Sequence, residues 1–236
     1  MANEAALSIA KAEGEAARLV RSGGFLARAW LTLHAGISLA LDPSDTRQVF
    51  RMVVAGDLHS LERIHARLAA SEAGRALLRD RPAVDSRHVD LAALRALPAD
   101  SLGGAYARMI DKAQLDPDLF QAPEFLDAEL AYVSQRIRQT HDLWHVLTGL
   151  STRVDGEIML QAFTHGQFPN RTARTIATFG TLIYGFRFPR LWKQTWRWFR
   201  AGKRASFLLA VPWESLWHEP VAALRARFEV ATAPLR

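Results

Sequence analysis

The chain contains no cysteine among its 236 residues. Disulfides, thiolate metal centres and cysteine nucleophiles are thereby excluded, and the composition suits a reducing compartment. Long apolar runs are missing too. No stretch reaches the roughly 18 apolar residues expected of a transmembrane helix. The opening segment, MANEAALSIAKAEGEAARLV, holds Glu4, Glu13 and Glu15 and does not read as a signal peptide. β-Branched runs are scarce, and neither an internal repeat nor a low-complexity tract is found. Acidic residues are absent from one whole segment: 171–204 carries nine Arg or Lys and no Asp or Glu.

What is present fits a globular protein. Apolar residues make up 49% of the chain, enough for a sizeable core, and the net charge is +6. A basic chain can meet nucleic acid, an anionic membrane surface or acidic substrates. No helix-turn-helix, RRM or KH signature occurs, so nucleic acid is not an expected partner.

Ala, Leu and Arg dominate, and apolar residues recur at helical spacing. Val49, Met52, Val53, Leu58, Leu61, Ile64 and Leu68 follow three- to five-residue steps, and Gly56 is expected to divide them between two helices. Pro82 ends the next unit, and a further helix opens near Ser101. The longest pattern places Leu126, Leu130, Val133, Ile137, Trp144 and Thr148 on one stripe, with Gly149 as its stop. A short loop leads to a helix over EIMLQAFTHGQF, with Asp155 a candidate N-cap. A last helix has Pro220 in its first turn. The expected fold is all-α: an N-terminal helical extension over 1–25, then one compact multi-helix domain over 26–236.

The stretch HDLWH, residues 141–145, carries the chemistry. His141 and His145 stand four apart, so both rings share one helix face. Asp142 can join that side. Glu157 lies in the first turn of the next helix, while His145 lies in the last turn of its own. A short loop makes the two helices antiparallel neighbours, so Glu157 can reach the pair. Two imidazoles with one or two carboxylates suit Zn²⁺, Fe²⁺, Mn²⁺ or Co²⁺. The residues alone leave a blander account open. The histidines can belong to the core, Asp142 can pair with Arg138, and Glu157 can serve the positive end of its helix. The pattern differs from the zincin HExxH and lacks the further ligands of an HD-type phosphohydrolase. His165 lies near the same face as a second-layer or surface group. His34, His59, His65, His88 and His218 have no partner pattern.

HDLWH followed by eleven residues and Glu157 resembles the metal motif of the coenzyme Q (ubiquinone) biosynthesis protein 4 family. GRALLRDRP, LRALPADSLGGAYARMI, DAELAYVSQRIRQTHDLWH and VPWESLWHEPVAALRARFEV are similar to that family's segments, in the same order. The likeness runs from about residue 30 to the end, and the first 25 or so residues match nothing recognised. The resemblance implies an all-helical fold and metal ligands at His141, Asp142, His145 and Glu157, with zinc as the leading ion. It implies work in ubiquinone synthesis: removal of the C1 carboxyl of a polyprenylated 4-hydroxybenzoate, with or without hydroxylation at that carbon. The alternative is a non-catalytic scaffold that holds prenylated intermediates. The resemblance also implies other ubiquinone-biosynthesis proteins as partners and a peripheral place on a membrane. That membrane is the bacterial inner membrane at its cytoplasmic face, or the mitochondrial inner membrane at its matrix side. A homodimer is a further expectation.

Two more expectations come from residues near these. Arg138, one turn before His141, can orient Asp142 or meet a substrate carboxylate. In the basic segment, Trp192, Lys193, Trp196, Arg197 and Arg200 interleave charge with indole, as suits the headgroup layer of an anionic membrane. Trp198 and Phe199 stand beside them, and either pair can instead pack into the core.

Overall fold

Helices in this chain start where a short polar side chain can meet the free amides of the first turn. A computed structural model describes residues 2–41, 47–48, 51, 54, 58–119 and 126–233. Its helices are α1 (Ala2–Leu41), α2 (Leu58–Ala69), α3 (Glu72–Asp80), α4 (Leu91–Ala96), α5 (Leu102–Ala113), α6 (Ala128–Thr148), α7 (Val154–Gln167), α8 (Arg171–Tyr184), α9 (Leu191–Arg204) and α10 (Val221–Arg227). Ser71, Asp90, Ser101, Asp127 and Asn170 each accept a backbone N–H at the start of a helix. The described residues form no strand, and an isolated bridge joins Ser101 to Pro220. The all-α expectation holds. Val49, Met52, Val53 and Gly56 lie outside the described residues. No helix among the described residues is long and apolar enough to cross a membrane.

Two expected helix starts are corrected. Asp155 does not cap α7: Arg153 occupies that position without a side-chain cap bond, and Asp155 lies in the first turn. Pro220 is the residue before α10, not within its first turn. In both cases the chain enters the helix one or two residues away from the expected point, a shift that local propensity does not resolve.

α6 is the central helix. It does not present one apolar stripe, because residues all round it are buried, Arg136, Gln139 and Thr140 among them. Burial of such polar groups requires partners. Arg136 supplies several: it donates to the carbonyls of Leu209 (3.1 Å) and Val211 (2.6 Å) and pairs with Glu214 at 2.8 Å. It thereby ties α6 to the C-terminal turns. Gln139 accepts the Val84 amide at 3.1 Å. Trp144 meets Phe163 and Phe168 edge-on, with ring centroids 6.1 and 6.0 Å apart.

α7 and α9 form the most extensive helix pair. Glycine on each side permits it. A Cβ at Gly166 would lie 2.2 Å from the Phe199 carbonyl oxygen, and one at Gly202 would lie 2.1 Å from that of Phe163. Gln167 locks the same junction, donating to Gly202 O (2.7 Å) and accepting from Leu208 N (2.9 Å).

α1 breaks at Gly24, whose backbone (φ 56°, ψ −137°) strongly favours glycine. Before the break, Ile9, Ala12, Glu13, Ala16, Ala17 and Val20 are buried at helical spacing. Glu13 pairs with Arg138 of α6, both largely buried. The expected Arg138–Asp142 pair is therefore replaced: the guanidinium reaches a carboxylate 125 positions away rather than the one four residues on.

Gly202→Ala should destabilise the protein by about 1–3 kcal/mol, because the new methyl strikes backbone rather than a movable side chain. Gly14→Ala, with nothing within 4 Å of the added carbon, should leave stability unchanged or raise it by roughly 0.5–1 kcal/mol. Urea unfolding of both variants checks the contrast.

A candidate metal centre between two helix ends

The centre forms where α6 stops and α7 begins. Gly149 adopts a left-handed conformation (φ 70°), and its amide donates to His145 O at 2.9 Å. That ends α6 within a turn of His145. Other carbonyls of this last turn also find donors: Arg225 reaches Leu147 O (2.7 Å) and Val146 O (3.1 Å), and Ala233 N reaches Thr148 O (2.7 Å). The returning loop packs tightly on α7. A Cβ at Gly156 would lie 1.9 Å from the Ser151 carbonyl oxygen, so only glycine lets the residue before Glu157 sit there.

His141, His145 and Glu157 converge. One ligand atom from each lies within 4.8 Å of the others. His141 Nε2 is 3.2 Å from Glu157 Oε2, and His145 Nε2 is 2.9 Å from Oε1. The two rings stand perpendicular, with centroids 5.0 Å apart. His145 is buried, while 20% of the His141 side chain and 37% of the Glu157 side chain remain exposed. The set therefore has a closed side and an open one.

The hydrogen bond behind His145 tests whether a cation fits. Its Nδ1 lies 3.0 Å from the carbonyl oxygen of Leu150, which can only accept, so Nδ1 carries the proton. The neutral ring then turns a lone pair on Nε2 toward a carboxylate oxygen, acceptor against acceptor. A positive charge must lie between them, as a proton on the ring or as a metal ion. A backbone carbonyl on the far nitrogen is also the usual support behind a metal-binding histidine. The donor set fits a divalent ion.

Without a metal ion, the electrostatics of the cluster are those of the protonated alternative. Burial pushes the Glu157 carboxyl up, but hydrogen bonds and charge from both histidines overcome it and hold the group well below the usual carboxylate range. Burial pushes His141 down, yet Glu157 and, more weakly, Asp142 raise it above its ordinary value.

Asp142 stands apart from the three ligand atoms. It lies on the flank toward Tyr106. Burial raises its carboxyl, Glu157 adds to the rise, and the two histidines oppose it. Burial raises the Tyr106 phenol as well, with Asp142 and Asp118 contributing. Arg138 reaches Glu13, as described above. His165 lies away from the centre, half-buried and stacked on Phe199 with centroids 5.5 Å apart. His59, His65 and His88, which show no partner pattern in sequence, pair with Glu62, Glu129 and Asp85. Trp198 is a core residue. Trp192, Lys193, Trp196, Arg197 and Arg200 are exposed together on one face of α9. Sequence reasoning missed Gly156, Arg225 and Glu13. Gly156 could have been found from its place just before a candidate ligand in a tight return. Arg225 and Glu13 carry no local signal.

Fold and site together define an all-helical protein with a two-histidine, one-carboxylate set able to hold a metal ion. The family model for coenzyme Q (ubiquinone) biosynthesis protein Coq4 matches residues 23–234. The chain belongs to this family. It is 33% identical over 176 residues to the ubiquinone biosynthesis protein COQ4 homolog 1, mitochondrial, of Culex quinquefasciatus, covering 72% of this chain and 63% of that protein. It is 31% identical over 216 residues to the mitochondrial COQ4 homolog of Aedes aegypti, covering 87% and 76%. The chain thus spans somewhat under two thirds of the Culex relative. A crystal structure of a protein assigned to ubiquinone biosynthesis in Nostoc punctiforme PCC 73102 superposes with a TM-score of 0.68 at 28% identity, covering 84% of this chain and 95% of that one.

Metal and pH should act in opposite directions on stability. Without metal, the cluster stabilises the fold most between the ordinary values of Glu157 (4.5) and His141 (6.5). The depressed Glu157 contribution is lost as pH falls below that window, and the raised His141 contribution is lost as pH rises above it. With metal, protons compete for the ligands, so stabilisation grows as pH rises. The gain in melting temperature on adding Zn²⁺ should therefore be larger at pH 8 than at pH 5.5, and absent in His145→Ala.

Proposed function

We propose that this protein removes the C1 carboxyl of a polyprenylated 4-hydroxybenzoate at the His141–His145–Glu157 centre, in the course of ubiquinone synthesis. The observation that carries the reading is the convergence of His141, His145 and Glu157, with His145 held from behind by Leu150 O. Such a set can hold a metal ion, and His141 and Glu157 leave one flank open to a ligand. Membership of a ubiquinone-biosynthesis family gives the chemical context.

The ligands are His141, His145 and Glu157, and Asp142 stands on the adjacent flank outside that set. A divalent ion bound there supplies Lewis acidity toward a substrate oxygen; zinc suits simple loss of CO₂, and iron, manganese or cobalt suits a version coupled to oxygen. His145, buried and held from behind, fixes the geometry. His141 and Glu157 line the accessible side, where the aromatic acid enters. Asp142 is the proton donor in this reading, since it stands beside the centre without being one of its three ligands. Its proton goes to C1, the bond from C1 to the carboxylate breaks, CO₂ leaves, and the ring regains its electrons. Glu157, held ionised by the two histidines, orients them.

The protein works at the surface of a membrane. Its eukaryotic relatives are named mitochondrial. Trp192, Lys193, Trp196, Arg197 and Arg200 share the exposed face of α9, and Phe179, Leu182, Ile183 and Phe186 extend an apolar patch beside it. Phe186 is 91% exposed. Indoles at the apolar boundary with cations among the headgroups match an anionic bilayer. In a bacterium this is the cytoplasmic face of the inner membrane, and in a mitochondrion the matrix side. Residues 26–236 form the working unit, and residues 1–25 an added helix. Other ubiquinone-biosynthesis proteins supply the prenylated acid and take up the product.

Metal-loaded protein should release CO₂ from a short-chain prenylated 4-hydroxybenzoate labelled at the carboxyl. Asp142→Asn should lower turnover by about 10²–10⁴-fold while keeping its metal. Full metal content with no turnover in the wild type would instead favour the scaffold reading. A second measurement concerns the surface. Vesicles containing anionic lipid should float the protein, neutral ones should not, and salt should release it.

A further inference from the structure

The basic surface contains a recess as well as a face. α7, α8 and α9 line an open recess of about 370 Å³. Ala177, Leu182 and Trp196 give it apolar walls, Arg174 and Thr178 are its exposed polar groups, and Thr181 and Thr195 in its wall bond to each other at 2.8 Å. The rings of Trp196, Phe199 and His165 stack in succession, with centroids 5.4 and 5.5 Å apart, along one side. Two of the wall residues, Leu182 and Trp196, are themselves exposed, so the recess opens within the apolar patch.

Its chemistry is selective in sign. No acidic residue lines the cavity, and none occurs anywhere in 171–204. Arg174 is exposed at its edge, and a guanidinium is well matched to a phosphate. His165 lines the recess with its ring, and its N–H is taken by the Asn170 backbone, so it forms wall rather than a donor to the ligand. An anion with an attached apolar chain satisfies all of these groups. An anion without a chain leaves the aromatic wall wet, and a chain without an anion leaves Arg174 unused.

We propose that this recess binds the phosphate headgroup of a single anionic phospholipid, with Arg174 and Thr178 on the phosphate and an acyl chain along Leu182, Trp196 and Phe199. The inference rests on the membrane reading and goes further, from a charged face to one seated lipid. It also bears on the metal centre. His165 and Glu157 belong to the same helix, eight residues or ~12 Å apart along its axis. Ile158, next to Glu157, packs on Gly180 of α8, where an added Cβ would lie 2.6 Å from it. A lipid seated against α8 and α9 thus holds the two helices that pack on α7, and sets the depth of the centre relative to the bilayer.

Calorimetric titration with dihexanoyl phosphatidylglycerol, kept below its micelle-forming concentration, tests the pocket apart from the surface. The wild-type chain should bind it about tenfold more tightly than dihexanoyl phosphatidylcholine, and more tightly than glycerol phosphate. Arg174→Gln should weaken it about tenfold, the size of one charge-assisted hydrogen bond. Arg190→Gln, in the same basic segment but outside the cavity lining, should change it less than about twofold if the long-range field is minor. Equal losses in the two variants, equal binding of the two lipids, or no binding would overturn the pocket. So would concentration-dependent self-association that the lipid does not relieve, which would assign this face to a second copy. Flotation on anionic vesicles reports the membrane reading separately. Flotation without monomer binding removes the pocket alone, and monomer binding without flotation removes the membrane reading alone.

Discussion

The hydrogen bond between His145 and the Leu150 carbonyl is the contact on which the centre depends. It spans the turn where α6 ends and the chain reverses. In one step it sets the tautomer of the ring, the direction of the free nitrogen and the place of the loop that delivers Glu157. Gly149 and Gly156 make the reversal tight enough for that bond to form. The resulting arrangement, three electron-rich atoms facing inward, is unfavourable unless a positive charge joins them. A fold that positions such a cluster at the buried end of its central helix carries an electrostatic demand, which a proton on the histidines or a metal ion can meet.

The rest of the molecule holds this turn still. Arg225 and the chain near residue 233 take up the last carbonyls of α6, and Arg136 fastens the same helix to the C-terminal turns about three turns earlier. The close approach of α7 and α9 through Gly166 and Gly202 keeps the other side in register. α1 lies against α6 through Glu13 and Arg138, a buried ion pair whose worth is specificity of docking more than stability. Among the described residues, the open flank between His141 and Glu157 and the exposed face of α8 and α9 are the surfaces proposed to take ligands. α7 joins them, carrying Glu157 in its first turn and packing on α8 and α9.

Much of this was legible in the chain. HDLWH placed two rings on one helix face, and the short return to Glu157 brought a carboxylate to them. Ser101 as a helix start and Gly149 as a stop followed from cap chemistry. The limits are equally particular. Asp155 looks like an N-cap, but packing of Gly156 on Ser151 pulls the helix start to Arg153. Arg138 is correctly spaced for a pair with Asp142, yet it reaches Glu13, because a buried guanidinium takes whichever carboxylate the tertiary fold brings into its dry environment. Trp192, Trp196 and Trp198 sit together in sequence, while their place on the helix separates two surface indoles from one core residue.

By itself, the sequence determined the helical class, the pairing of His141 with His145, the nearness of Glu157 and the basic character of 171–204, since each depends on spacing along one helix or across one short turn. Only the tertiary structure decided the tautomer of His145, the separation of Asp142 from the three ligand atoms, the partner of Arg138 and the recess around Arg174. Those depend on groups tens of residues apart that meet only after the helices have packed.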